Sequence, residues 1–416
     1  MNNTLEFLYS LRNQGSRFGL ERMEAFCQEL GNPQFAYPSI HVAGTNGKGS
    51  VCAMLDSVYR KQGYRVGLFT SPHLIELGER VRVNGEILSF AKIEKWVETL
   101  LPVVQKIETS EQGMGPTFFE FMTAIAFLEF KEQKVDLAIV ETGLGGRLDS
   151  TNVLNPEISV ITSIGYDHCD MLGYELKKIA AEKAGIIKPG KPVVTGWLEE
   201  DAREQVRQMA QNQKAPLHWV EDANLPALPQ TNLHGSFQQR NAALASRVVQ
   251  LLDSQFPCEE HKVSSALQSV RFPGRWQKIC TEPTIILDAC HNGHGAQASA
   301  ELWDSLPEGF EVWFAACGQD RARDVLTPLL QRTNRITLFE LDQPRACSLE
   351  DLQKLVENFP GAVKFAKEKQ VLALHQQLDP STTLLVTGSI YLIAAVLSQL
   401  KKNPSSVLLH NWQDLW

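Results

Sequence analysis

The run Gly44-Thr45-Asn46-Gly47-Lys48-Gly49-Ser50 joins a glycine-rich turn to a lysine at the start of a helix, an arrangement that holds a polyphosphate. Glycines let backbone N–H groups turn toward the anion, the helix start adds positive potential, and Lys48 reaches terminal phosphate oxygens. The apolar Ile40-His41-Val42-Ala43 before it reads as a strand, and Val51, Leu55 and Val58 after it share one helix face. A strict G-x-x-x-x-G-K-[ST] loop needs glycine at Val42 and a hydroxyl at Gly49. Here the serine comes one residue later, at Ser50, so the motif alone does not make it a magnesium-binding hydroxyl.

Further chemistry-bearing residues sit at strand exits. Glu141 closes the apolar Leu137-Ala138-Ile139-Val140 and is either a magnesium-holding carboxylate or a loop cap. Ser71 and His168 are neutral ligands that magnesium accepts beside a carboxylate, although each taken singly reads as a loop residue. Lys183 lies near the end of a helical stretch and is either a solvated charge or a desolvated amine. In the second alternative the neutral amine takes up carbon dioxide and becomes a carbamate that ligates a second metal. Thr117-Phe118-Phe119-Glu120 fits a capping box ahead of the stripe Phe121, Ala124, Ile125 and Leu128. Phe118 and Phe119 are core residues or an aromatic surface for a flat ligand. Asn84-Gly85 reads as a hairpin turn, with Arg80 and Arg82 either surface charges or contacts to an anionic substrate.

The elements that position these residues alternate between strand-like and helix-like runs, as in parallel sheets flanked by helices. Strands are expected at 39–43, 66–70, 137–141, 159–164 and 192–196. The first four of these exits should converge, because open α/β sheets bind ligands outside the carboxyl ends of their strands. A second alternation is expected at 284–287, 312–316, 336–340, 362–365 and 384–387, with Asp288-Ala289-Cys290-His291-Asn292 following its first strand. The expected organisation is an α/β chain of two domains. Residues 1–271 form a P-loop ATP-binding domain with a mostly parallel sheet, 272–283 a linker around Phe272-Pro273-Gly274-Arg275, and 284–416 a smaller doubly wound, Rossmann-like domain. A cleft between the two would take ATP on one side and a second substrate on the other.

Composition narrows the class. A chain of 416 residues fills roughly two or three domains, and a net charge of −8 argues against a general nucleic-acid binder. Eight cysteines without a C-x-x-C pair fit reduced thiols in a cytoplasm better than a disulfide framework or a zinc site. The first 40 residues have no signal-type apolar core, and the apolar stretch near Tyr391 to Leu397 is too short to span a bilayer.

Together these residues closely resemble the folylpolyglutamate synthase and dihydrofolate synthase family, relatives of the Mur amino-acid ligases, over nearly the whole chain. The likeness rests on Gly44 to Ser50, Thr70-Ser71-Pro72-His73-Leu74, Glu79-Arg80, Glu141 through Asn152, Asp167-His168, Glu182-Lys183-Ala184-Gly185-Ile186, Pro273-Gly274-Arg275 and Asp288 through Asn292. The shifted serine is that family's own form of the loop. The resemblance implies two magnesium ions held by Ser71, Glu141, His168 and a carbamylated Lys183. It implies Asn241 near the base or ribose, and Arg275, Asp288 and His291 approaching ATP or the incoming glutamate. The chain departs from the family pattern at Phe237-Gln238, Ala322-Arg323-Asp324 and His291-Asn292-Gly293.

The implied reaction is ATP-dependent addition of L-glutamate to dihydropteroate or a reduced folate through an acyl phosphate, in a cytoplasmic monomer with small-molecule substrates only. Lys48 acts on the phosphates, and His291 and Asp288 are candidates for the base. An enzyme confined to one of the two acceptors is the alternative. A peptidoglycan Mur ligase needs an additional domain before its P-loop, where only residues 1–43 precede Gly44, and a P-loop switch protein needs an N-K-x-D motif that is absent.

Overall fold

The computed structural model describes residues 3–12, 19–110, 115–222 and 228–401. The described residues fall into two compact units, one lying within the ranges 1–231 and 240–270 and the other within 232–239 and 271–416.

The first unit is built on an eight-stranded sheet. Its strands are β1 (Ser39–Ala43), β2 (Val66–Phe69), β3 (Val81–Val83), β4 (Glu86–Ile87), β5 (Leu137–Glu141), β6 (Ile158–Ile161), β7 (Val193–Thr195) and β8 (Leu217–Trp219), in the order β4-β3-β2-β5-β1-β6-β7-β8. Only the β2–β3 and β3–β4 pairings are antiparallel. All five residues of β1 and of β5 are buried, as expected for central strands covered on both faces. The β3–β4 hairpin turns on Asn84 (φ 54°) and Gly85 (φ 88°), both left-handed as a two-residue primed turn requires.

Helices cover both faces of this sheet. The helix Lys48–Gln62 begins after Gly47 and stops at Gly63, both at positive φ. The helix Phe118–Glu132 carries the expected capping box: Thr117 N–H donates to Glu120 Oε2 at 2.7 Å and Glu120 N–H to Thr117 Oγ1 at 3.3 Å. Glu120 also meets Arg22 at 3.2 Å, tying the helix start to the N-terminal segment. Beneath it Phe121, Phe127 and Phe130 are fully buried with Phe26 and Phe69 in one apolar cluster.

The second unit holds a six-stranded sheet of β9 (Gln277–Thr281), β10 (Thr284–Leu287), β11 (Glu311–Phe314), β12 (Arg335–Glu340), β13 (Ala362–Lys367) and β14 (Thr383–Thr387), ordered β13-β12-β11-β14-β10-β9. All its pairings are parallel except β9–β10. The segment 272–283, expected as a linker, is therefore corrected: its residues 277–281 are an edge strand. Antiparallel pairing across the short turn to β10 satisfies their backbone groups, which a free linker would leave to water. Trp303, Trp313 and Phe314 are at most 1% exposed and anchor this unit's interior.

Candidate active site

Strands β2, β5, β1 and β6 are neighbours and run parallel, so their carboxyl ends share one edge of the sheet. The loops leaving that edge carry Ser71, Glu141, the 44–50 loop and His168. Ser71 and Glu141 meet directly, the Ser71 N–H donating to Glu141 Oε2 at 3.0 Å. Glu141 is 4% exposed, so its carboxylate is aimed across the strand ends and away from bulk water.

The 44–50 loop is held rigidly against the loop after β6. Thr45 Oγ1 donates to the Gly165 carbonyl at 3.1 Å and accepts the Gly165 N–H at 3.0 Å. Ser163 Oγ accepts the Asn46 N–H at 3.0 Å, and Thr162 Oγ1 donates to the Asn46 carbonyl at 2.6 Å. The approach is so close that a Cβ on Gly44 would lie 2.0 Å from Thr162 Oγ1, and one on Gly47 would lie 2.6 Å from Asn241 Oδ1. Glycine is required at both positions, and Asn241 is thereby placed against the loop.

Two lysines converge on one carbonyl. Lys48 Nζ donates to Gly44 O at 3.1 Å and to Thr45 O at 3.3 Å, while Lys183 Nζ donates to the same Gly44 O at 2.9 Å. Lys183 is 4% exposed. Burial, and then the nearby Lys48 charge, bring its amine down to about 7, so it is available as a neutral nucleophile near neutral pH.

A buried relay fixes the loop that follows Glu141. Asp149 accepts the Leu144 N–H at 2.8 Å, the Thr151 N–H at 3.0 Å and the Thr151 hydroxyl at 2.5 Å. Because Thr151 gives its proton to Asp149, His41 Nε2–H donates to Thr151 Oγ1 across 2.8 Å. Burial holds the His41 ring neutral, down to about 3, which suits that role.

Arg80, Phe118 and Phe119 gather on one side of this edge. The Arg80 guanidinium lies 5.3 Å from the Phe118 ring centroid and donates to His73 Nδ1 at 2.9 Å, and Phe119 packs on Phe69 at 5.7 Å. Arg82 is engaged differently: its Nε donates to the Glu79 carbonyl at 3.2 Å, and the Asp56 and Glu79 carboxylates act on its charge.

Among residues with left-handed backbones, Asn32, Asn84, Lys134 and Lys214 lie in turns, His168 (φ 51°) and Trp197 (φ 52°) follow β6 and β7, and Trp276 (φ 48°) precedes β9. A bulky side chain in that region costs about 1 kcal/mol or more and persists where its surroundings impose it, commonly at functional sites.

In the second unit, Asp288 follows β10 and is 5% exposed. Burial raises its carboxyl to about 6 against the opposing Arg275 charge, and Ser299 Oγ donates to it at 3.3 Å. His291 Nδ1–H donates to the Ala289 carbonyl at 2.9 Å, which leaves Nε2 as the basic nitrogen of the neutral ring. Asn292 caps the helix Gly293–Trp303, accepting the Gly295 N–H at 2.7 Å. Arg275 Cζ stands 5.0 Å from the Phe272 ring.

Sequence reading missed the braces Thr162 and Ser163, the His41–Thr151–Asp149 relay and Trp197. An Asx-turn pattern at Asp149-Ser150-Thr151 was the available signal for part of the relay. Among the described residues no group of three or more His, Cys, Asp and Glu is placed to hold a metal ion. No described helix is long and apolar enough to cross a membrane.

The family model for the Mur ligase middle domain matches residues 42–267. A dihydrofolate synthase/folylpolyglutamate synthase of Bacillus subtilis strain 168 is 35% identical over 413 residues, covering 93% of this chain and 96% of the relative. Solved structures agree: E. coli FolC in complex with DHPP and ADP has a TM-score of 0.82 at 31% identity, covering 96% of this chain and 98% of that one. A bifunctional folylpolyglutamate synthase/dihydrofolate synthase with Mn, AMPPNP and L-glutamate bound has a TM-score of 0.83 at 30% identity, covering 96% and 98%. The match over both units, with the phosphate loop, Glu141 and Lys183 arranged along one sheet edge, means that this chain belongs to the Mur ligase family, in its dihydrofolate synthase/folylpolyglutamate synthase branch.

Proposed function

We propose that the protein is an ATP-dependent ligase that adds L-glutamate to both dihydropteroate and reduced folates. The observation that carries this reading is the convergence of Lys48 and a second, deeply buried lysine on the Gly44 carbonyl. A nucleotide switch needs the first lysine only. A ligase whose second metal is held by a carbamate needs both; relatives are named dihydrofolate synthase/folylpolyglutamate synthase, and solved ones carry DHPP and ADP, or Mn, AMPPNP and L-glutamate.

An amide does not form from a carboxylate and an amine in water without activation. The folate or pteroate carboxylate attacks the γ-phosphorus of ATP, the bond to the β–γ bridging oxygen breaks, and an acyl phosphate and ADP result. The glutamate amine then attacks the acyl carbon, phosphate leaves, and the nitrogen loses a proton. Lys48 meets the terminal phosphate oxygens as charge is redistributed. Arg80 with Phe118 and Phe119 offers a cation and flat apolar rings to the acceptor. Asn241 and Arg275 act on the nucleotide, and Asp288 and His291 on the glutamate step, with His291 Nε2 as the proton acceptor.

Ser71 and Glu141 offer the oxygen donors that magnesium, a hard cation, prefers, and His168 would add one imidazole nitrogen. Ser71, Glu141 and His168 would hold a first ion. Lys183 fits a second one only as a carbamate: its neutral nitrogen attacks carbon dioxide, an N–C bond forms, the nitrogen releases a proton, and a neutral amine becomes an anion. Bound magnesium neutralises phosphate charge. Location in the cytoplasm accords with eight free cysteines.

ATP-dependent incorporation of labelled glutamate, with dihydropteroate and tetrahydrofolate offered separately, tests the reading. Both acceptors should be extended, and failure with either makes the enzyme monofunctional. Glu141→Gln keeps the shape but not the charge and is expected to lose most turnover with an unchanged melt; activity within roughly threefold of the parent would exclude the metal role. His291→Ala should lower kcat for glutamate addition by about tenfold or more while ATP affinity changes little. A lowered melting temperature with kcat intact would instead make His291 a structural residue.

A further inference from the structure

The geometry points to Trp197 as the platform on which the purine base of the nucleotide stacks, with the Arg240 guanidinium over the same ring. The inference rests on the ATP-dependent reading above and assigns its base-binding residue.

Trp197 follows β7, which is separated from the phosphate loop's strand β1 only by β6. Two strand spacings of about 4.8 Å put the β7 exit roughly 10 Å from the β1 exit, the reach from the terminal phosphates of an extended nucleotide to its base. The path between them is marked by side chains. Asn241 touches the loop at Gly47, Arg240 precedes it in the chain, and Arg240 Cζ stands 5.6 Å from the Trp197 ring centroid.

The backbone that carries the ring is also held in place. Its left-handed backbone (φ 52°) is fixed by the Trp197 N–H donating to Glu221 Oε2 at 2.5 Å. Glu221 is in turn paired with Arg203, whose guanidinium stacks 3.8 Å from the Trp219 ring. Arg240 Cζ lies over one face of the half-buried Trp197 ring at 5.6 Å, looser than the 3.8 Å Arg203–Trp219 pair, and Arg240 itself is exposed. Every base has a π-face, and an indole with a nearby guanidinium favours it.

Calorimetry with ADP and with inorganic tripolyphosphate, which lacks a base, tests the assignment. Trp197→Ala should weaken ADP by about tenfold to a hundredfold, the range for one stacked base, and leave tripolyphosphate within about twofold. Trp197→Phe should restore most of the ADP affinity while removing any ADP-dependent change in that tryptophan's fluorescence. Unchanged ADP affinity in Trp197→Ala overturns the platform alone, and equal weakening of ADP and tripolyphosphate makes Trp197 a scaffold residue. A parent protein that binds tripolyphosphate and ADP equally overturns the platform too, and one that binds neither overturns the ATP-dependent reading with it.

Discussion

Lys48→Ala is expected to lower kcat/KM by about a thousandfold or more, because removing one preorganised charge from a phosphoryl-transfer site costs on the order of 4 kcal/mol of transition-state stabilisation. The fold should survive. Thr45, Asn46 and Gly165 brace the loop without the ammonium, and Lys183 still donates to the Gly44 carbonyl. Folate binding should remain within about twofold, since the lysine faces phosphates and not the pterin. Isothermal titration with the folate substrate beside an ADP titration checks this. Equal loss of both affinities would mean that the loop had collapsed and that Lys48 is a structural donor.

Lys183→Ala should be inactive, and small carboxylic acids such as acetate should restore part of the activity by occupying the vacated anionic position. In the parent, removing dissolved carbon dioxide should lower activity and bicarbonate should return it. The sign with pH follows from an amine held at about 7, below its ordinary 10.5. Only the neutral amine reacts, so at fixed dissolved carbon dioxide the restored fraction grows as pH rises through 7 and is small well below it. The same depression means that burying the unmodified lysine costs stability below pH 10.5, increasingly down to about 7, so stability of the carbon-dioxide-free protein rises with pH across that window. Mass spectrometry and a crystal structure of the nucleotide-bound enzyme provide the direct check. An unmodified ammonium at Lys183 in that active state would remove the carbamate from the mechanism.

The strand that feeds the phosphate loop, the capping box at Thr117 and the Asn84-Gly85 hairpin were legible because each depends on local chemistry: apolar runs, a side chain reaching its own helix start, a turn that needs left-handed residues. The edge strands β8 and β9 were not. Leu217–Trp219 has three half-buried residues, too few for a period to show, and Gln277–Thr281 lies beside a proline and glycine that read as a break. Arg80 and Arg82 looked equivalent in the sequence. Residues two apart share a face only in a regular strand, and here Arg80 ends a 3-10 turn while Arg82 is the middle residue of β3. The braces on the phosphate loop join residues well over 100 positions apart, and no local pattern announces such contacts.

The order in which the chain is made gives one of those distant contacts a further meaning. Ser57, on the helix that starts at Lys48, donates to the Ala266 carbonyl at 3.0 Å across a separation of 209 residues, and Tyr64 beyond it reaches the Pro257 carbonyl at 3.2 Å. Asn241, which packs on the phosphate loop, belongs to the same late segment, after the chain has already left the first unit at residues 232–239. At a synthesis rate of about 5–20 residues per second, the phosphate-binding helix waits roughly 10–40 seconds for its final cover. A nascent chain ending near residue 231 should therefore bind nucleotide poorly and be readily cut by protease around that helix, and extension past residue 270 should close both windows together.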